Sequence, residues 1–258
     1  MTVTPPLARL SLRRLLGHSA QVFRSDFLAL MGLAILVHGP GVAAEDWLSA
    51  RMGAVIAARP TAAALPWVAG IVPFALADGA VVWVAVRRLA GRSLPFGGPK
   101  GVARLAGAVL AIDLVENLPG LAQVLLPPEW LGPLNPGSSV LFSVAGAFWL
   151  ALWFPALAVA VAEGATGAAS LGRSLDLTRG HRWTLATLAL ALQLGILGLA
   201  LLGALLLALA GFVEPPAWTL DLAGLPLWAF SSAAQAGAYW ELQRLKTGLS
   251  PAAAKLFD

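Results

Sequence analysis

Long apolar stretches alternate along this chain with short basic, proline-rich or glycine-rich segments. The clearest stretch runs from Thr184 to Phe212, carries no charged residue and has Gln193 as its one strongly polar side chain. As a helix it would be roughly 43 Å long, enough to cross a hydrocarbon layer of roughly 30 Å with tilt. The other stretches are shorter, and the spans are expected at about 26–44, 65–87, 104–126, 138–162, 183–212 and 217–240. The pattern predicts an all-α, polytopic membrane helix bundle with six transmembrane helices. It forms a single membrane domain over residues 1–246, followed by a short cytoplasmic tail at 247–258.

The segments that lead into the odd-numbered spans have a helical pattern of their own. From Ala168 onward, Ala168, Leu171 and Leu175 share one helical face, while Arg173, Asp176 and Arg179 lie three apart on another. Gly180 is a natural stop, and Trp183 sits where an interfacial aromatic anchor belongs. This predicts an amphipathic elbow helix lying on the bilayer, the alternative being a solvated loop with incidental charges. Residues 1–24 repeat the theme with Arg9, Arg13, Arg14 and Arg24 set among leucines. The first apolar run, Phe27 to Val37, with Val42-Ala43-Ala44 beyond it, imitates a secretory signal. The long basic leader and the similar units that follow favour a retained span. Residues 46–59 read as a short outer-face segment.

Two regularities suggest a three-fold parallel repeat of elbow, helix and proline-kinked helix. Arg24, Arg104 and Arg182 mark the elbow junctions, 80 and 78 residues apart, and Pro73, Pro155 and Pro226 interrupt the even spans. The alternative is that basic loops recur in any polytopic chain and that spanning helices tolerate proline.

Composition agrees with the hydropathy pattern. Only 12% of residues are charged and 59% are hydrophobic, with a mean hydropathy of +0.79, where a soluble domain is about one-quarter charged. With both termini placed in the cytoplasm, fifteen of the seventeen basic residues fall on inner segments, leaving Arg51 and Arg59 outside. The net charge of +4 is therefore a topology signal and does not indicate nucleic-acid binding. Richness in Ala, Gly, Leu, Arg and Pro suits a GC-rich bacterial genome, so the expected location is a bacterial inner membrane. With no cysteine there is no disulfide, thiolate metal site or thiol nucleophile.

The residues AASLGRSLDLTRGHRW (Ala168 to Trp183), together with AGAYWELQR (Ala236 to Arg244), carry a family likeness. They resemble the six-span proteins grouped as the glycerophosphoryl diester phosphodiesterase membrane domain, most closely over about 150–245. The resemblance implies six helices with surface elbows and a cytoplasmic C-terminus. In that family a separate soluble domain performs the chemistry. The tail after Lys246 is too short for a catalytic barrel, so the likeness brings no enzyme activity with it.

Ionisable groups within spans are costly and are functional candidates. Asp113 and Glu116 stand three apart on the third predicted span, with Asp113 roughly 14 Å past Arg104. Asp78 reaches about the same depth from Arg87, and His38 and Gln193 lie about 21 Å and about 17 Å past Arg24 and Arg182. Asp78, Asp113, Glu116, His38 and Gln193 are thus expected to form an intramembrane polar layer. Two ionised carboxylates one turn apart repel, so Asp113 and Glu116 are expected to share a proton or to pair with His38. The layer is either a proton or cation relay or a set of pairs that fixes helix register. Arg173, Arg179 and Arg182 are expected to be topological anchors, with contact to lipid head groups as the alternative.

There is no Gly-rich phosphate loop, no G-x-S-x-G and no H-E-x-x-H. Three scattered histidines make no zinc site on their own. No cofactor or metal is expected, and no catalysis. The leading expectation is a non-catalytic membrane scaffold that organises lipids or a partner membrane or peripheral protein. The alternative is a small-solute or proton-coupled transporter using the buried carboxylates.

Overall fold

The computed structural model describes residues 10–59, 62, 64–91, 98–125, 136–211 and 217–248. Among these the protein is all-helical. Four stretches are long and apolar enough to cross a membrane: Phe27–Ile56, Val68–Ala90, Val144–Glu163 and Arg182–Leu209. The helices are α1 (Leu12–Ser25), α2 (Phe27–Leu33), α3 (Gly39–Ala58), α4 (Ala64–Ala90), α5 (Gly98–Glu116), α6 (Leu118–Leu125) and α7 (Pro136–Trp153). They continue as α8 (Ala156–Glu163), α9 (Gly167–Thr178), α10 (Arg182–Leu209) and α11 (Ala217–Thr247).

Helix boundaries differ from the hydropathy reading in three places, each with a local cause. The first apolar stretch does not end near residue 44. A π-helical turn over Ala34–His38 joins α2 to α3, and the rod continues to Ala58. Pro40 has no N–H for the ladder, and the wider turn just before it absorbs that defect within one helix. The stretch expected at 104–126 starts at Gly98 and breaks at Asn117, between α5 and α6. Asn117 Nδ2 folds back to donate to the Asp113 carbonyl oxygen at 2.9 Å, and Trp149 Nε1 donates to the Val115 carbonyl at 2.7 Å. Two backbone acceptors near the break are thereby met. Pro155 interrupts the fourth stretch between α7 and α8, whereas Pro73 and Pro226 stay inside the continuous helices α4 and α11.

The elbow α9 is a separate short helix, but its inner face is not the one the apolar pattern selects. Gly167, Ser170, Ser174, Leu177 and Thr178 are buried, while Ala168 is exposed and Leu171 and Leu175 are half-buried. The small polar face turns inward because its neighbours lie close. A Cβ on Gly167 would come within 2.9 Å of Ala111 Cβ on α5, and Ser174 Oγ donates to the Leu152 carbonyl on α7 at 2.8 Å.

Helix α4 is the hub, packing against α3, α5, α8 and α11. Small residues allow the close approaches. A Cβ on Gly79 would fall 2.8 Å from Val109 Cγ2 on α5, and one on Gly41 would fall 3.0 Å from Pro73 Cβ. Helix α10 is the opposite case. It meets α7 and α11 along one side, and leaves Leu194, Leu197, Leu201, Leu202, Leu205, Leu206 and Leu209 exposed. A solvent of lipid tails suits that surface.

Charged side chains join the helices at one end of the bundle. Helix α1 lies along α11, burying Leu15, Ser19 and Val22. The buried Glu241 carboxylate receives Arg14 Nε at 2.9 Å and Arg244 Nη2 at 2.8 Å. Arg88, at the end of α4, reaches Asp26 at 3.2 Å and donates to Ser25 Oγ at 3.1 Å. Burial pulls the Glu241 carboxyl up, but hydrogen bonds and charge from Arg244 and Arg14 outweigh it and hold it below the usual carboxylate range. A depressed folded-state value gives stability that is present at neutral pH and is lost as pH falls through that value. The thermal midpoint in detergent should therefore fall between pH 7 and pH 3. In Glu241→Gln it should start lower and fall less. An equal slope in the two proteins would show that this cluster does not set the acid sensitivity.

Candidate functional site

Close packing at Gly79 has a chemical consequence. Asp78 is the preceding residue on α4, and Asp113 lies one turn beyond Val109 on α5, so the contact brings both carboxylates to one place. They line a cavity of about 500 Å³ together with Glu116 and Asn117 at the α5 break, Gln193 on α10, and Ser231, Ser232 and Gln235 on α11. Phe74, Trp228, Leu150 and Ile196 are among its apolar walls. No lysine, arginine or histidine is among its described lining residues.

Asp78 is 6% exposed and Asp113 is 1% exposed. Ser232 Oγ is hydrogen-bonded to Asp78 Oδ1 and lies 3.1 Å from the Trp228 carbonyl oxygen. A hydroxyl has one proton, so it can donate to only one of them at a time. An ionised Asp78 takes that proton, whereas a protonated Asp78 can donate to Ser232 and leave Ser232 to serve Trp228. Neither oxygen of Asp113 meets a protein donor in good hydrogen-bond geometry, although the Asn117 amide lies beside the carboxyl, and the buried Glu116 Oε1 and Gln235 Oε1 have no partner. Buried acceptors of this kind are normally satisfied, and these four belong to residues lining a cavity large enough for water or a solute to meet them. Among the described residues no group of three Asp, Glu or His side chains is placed to hold a metal ion.

A smaller cavity of about 170 Å³ adjoins the first and is lined by Gly41, Val42, Glu45, Gly70, Ile71, Phe74 and Asn117. The two share Phe74 and Asn117. Glu45 belongs to the part of α3 that the hydropathy pattern assigns partly to an outer segment.

Of the five expected polar-layer residues, Asp78, Asp113, Glu116 and Gln193 line the one cavity; the His38 side chain lies outside the described residues. Ser231, Ser232 and Gln235 were missed. The signal was present, because Ser231 and Gln235 are four apart and share a helical face in an apolar stretch. Asn117 was missed because the helix break was not foreseen.

The elbow arginines separate. Arg173 is committed to the fold, with Nε 3.6 Å from Glu163 Oε1 and Nη2 donating to Gln243 Oε1 at 3.2 Å. Tyr239 donates its hydroxyl to the same Glu163 oxygen at 3.2 Å. Arg179 and Arg182 are exposed, beside a Trp183 that is 75% exposed and packs edge-to-face on Phe148. Burial and the nearby Lys246 push the His181 imidazole down, so it adds no charge to this row at neutral pH.

The chain matches no protein-family model, no curated protein and no solved structure.

The unequal partnering of the two aspartates makes a stability prediction. Asp113→Asn removes a buried acid with no donor in good hydrogen-bond geometry and keeps an amide beside Asn117, so the thermal midpoint should hold or rise. Ser232→Ala takes away a hydrogen bond to buried Asp78 and should lower stability by about 1–3 kcal/mol. Thermal unfolding of the purified variants in detergent measures both. A large loss in Asp113→Asn would show that this carboxylate serves the fold.

Proposed function

We propose that this chain is a small-solute, proton-coupled transporter of a bacterial inner membrane, with its carboxylate-lined cavity as the solute site. The cavity carries the reading: a half-open volume of about 500 Å³ among the helices, with Asp113 buried on its wall and without a cationic partner. Pockets of roughly 300–1,000 Å³ are the usual size for small-molecule sites, and intramembrane carboxylates commonly mark ion and proton paths. The break at Asn117 fits as well, since transporters form mid-membrane sites where spanning helices are interrupted. Ser232, poised between Asp78 and Trp228, offers a hydrogen bond that changes direction with the protonation of Asp78.

In this reading the chain crosses six times with both termini cytoplasmic. Helices α5 and α6 together make the third crossing, and α11 makes the sixth. The distribution of basic residues supports that orientation. Helices α1 and α9 are the first and third elbows of the inferred repeat. The second elbow falls partly on residues 92–97, outside the described residues. Reporter fusions after Gly180 should read cytoplasmic and fusions near Pro133 external; the reverse at either point would overturn the six-crossing arrangement.

A scaffold that organises lipids remains the second reading, carried by the exposed row Arg179, Arg182 and Trp183. The two readings respond to different substitutions. In vesicles reconstituted with the protein, an imposed pH gradient should drive flux that Asp113→Asn abolishes while the protein stays folded. Arg179→Gln and Arg182→Gln should leave that flux intact. Loss of copurified anionic lipid in the arginine variants, with no pH-driven flux in the unsubstituted protein, would replace the transporter by the scaffold.

A further inference from the structure

We infer that the ligand of the large cavity is a monovalent organic cation with an apolar body, such as a protonated amine, held between the carboxylates and the Phe74–Trp228 wall. The inference rests on the solute-site reading above and adds the chemical class of the solute.

The lining narrows the choice step by step. Three carboxylates and no described cationic side chain disfavour an anion, because an acid entering this space would find no positive partner. A bare divalent metal needs several oxygen donors converging at about 2.0–2.6 Å, and no such group occurs among the described residues. The acceptors without a protein donor in good hydrogen-bond geometry are Asp113 Oδ1 and Oδ2, Glu116 Oε1 and Gln235 Oε1. Three of them sit within one turn of α5 and the fourth on α11. An ammonium with up to three N–H donors suits acceptors set out in that way.

One turn along α4 and α11 from Asp78 and Ser232, the same space is lined by aromatic rings. Phe74 and Trp228 both line the cavity and meet edge-to-face, with ring centroids 5.1 Å apart. A ring face within about 6 Å attracts a cation, more strongly where water is excluded, and the same rings cover the hydrocarbon part of an amine. A hydrated alkali ion would use the carboxylates and gain nothing from this wall. Phe74 also lines the smaller cavity that holds Glu45, so the aromatic wall sits between a second carboxylate chamber and the first.

The test uses 2-phenylethylammonium as probe, with 2-phenylethanol as its neutral counterpart and sodium ion as the apolar-free cation. Binding to the purified full chain in detergent at pH 7 is read by calorimetry. Expected is saturable binding of the amine, at least ten-fold tighter than the alcohol and insensitive to moderate sodium concentrations. Asp113→Asn should weaken it at least ten-fold. Phe74→Ala should weaken it several-fold, and Phe74→Trp should restore it. Should Asp113→Asn fail to purify folded, Glu116→Gln serves the same comparison. Equal binding of the alcohol, displacement by sodium, or no saturable amine binding to the folded chain would each overturn the inference. The transport reading fails differently. Amine binding without flux in vesicles removes transport and keeps the ligand class, while pH-driven flux without amine binding removes the ligand class and keeps transport.

Discussion

An acid held inside an apolar bundle is the constraint to which the other features of this protein answer. Lipid tails offer no hydrogen bonds, so an intramembrane carboxylate must find its partners within the protein or face an aqueous cavity. Asp78 is met by Ser232 across the α4–α11 contact, and Asp113 opens onto the cavity without a protein donor in good hydrogen-bond geometry. Bringing the two acids to one space requires α4 and α5 to approach closely, which the absence of a side chain at Gly79 permits. The break after Glu116 places Asn117 on the same cavity and turns its amide back onto the Asp113 carbonyl. The glycine, the helix break and the serine all bear on the same small volume.

At the end of the bundle marked by Glu241, charge is handled in the opposite way. Glu241 is buried yet carries two guanidinium partners, and Glu163 receives both Arg173 and the Tyr239 hydroxyl. Lys246 reaches the Asp176 carbonyl of the elbow. These contacts bind α1, α9 and the last turns of α11 into one layer. Side chains that a charge count treats as topological signals are thus also tertiary contacts. A paired buried charge costs less than an isolated one, and removing one partner exposes the full cost. The same protein therefore pairs its acids with guanidinium groups at that end, and gives the cavity acids only a hydroxyl at Asp78 and no cationic partner among the described lining residues.

The sequence made the helical class and the apolar stretches legible, because a run such as Thr184 to Phe212 has no other stable home. It also placed Asp78, Asp113, Glu116 and Gln193 at comparable depth, since helix rise converts residue number directly into distance. What it did not show came from local defects and close packing. The π turn before Pro40 and the break at Asn117 arise from a few backbone bonds that hydropathy does not register. The buried face of α9 was misread because Gly167, Ser170 and Ser174 are small and polar. They turn inward where another backbone comes close, not where apolar area is greatest. Arg173 looked like an anchor or lipid contact because its partners, Glu163 and Gln243, are distant in sequence or on another helix.

The contrast between α10 and α4 connects this packing with function. Helix α10 is almost wholly exposed along its outer leucines, and a lipid-facing surface of that kind holds a helix without fixing its rotation tightly. Helix α4 is locked by glycine contacts on two sides. Gln193 on α10 and Asp78 on α4 therefore lie on opposite kinds of wall around the same cavity, one loosely held and one rigid. In the proposed solute site, a change of access would move one wall while the groups that recognise the solute stay in register. Asp78 sits on that rigid wall and Asp113 on the α5 packed against it, with Ser232 and Gln235 on α11 beside them, and α10 has the smallest buried share of the four apolar stretches.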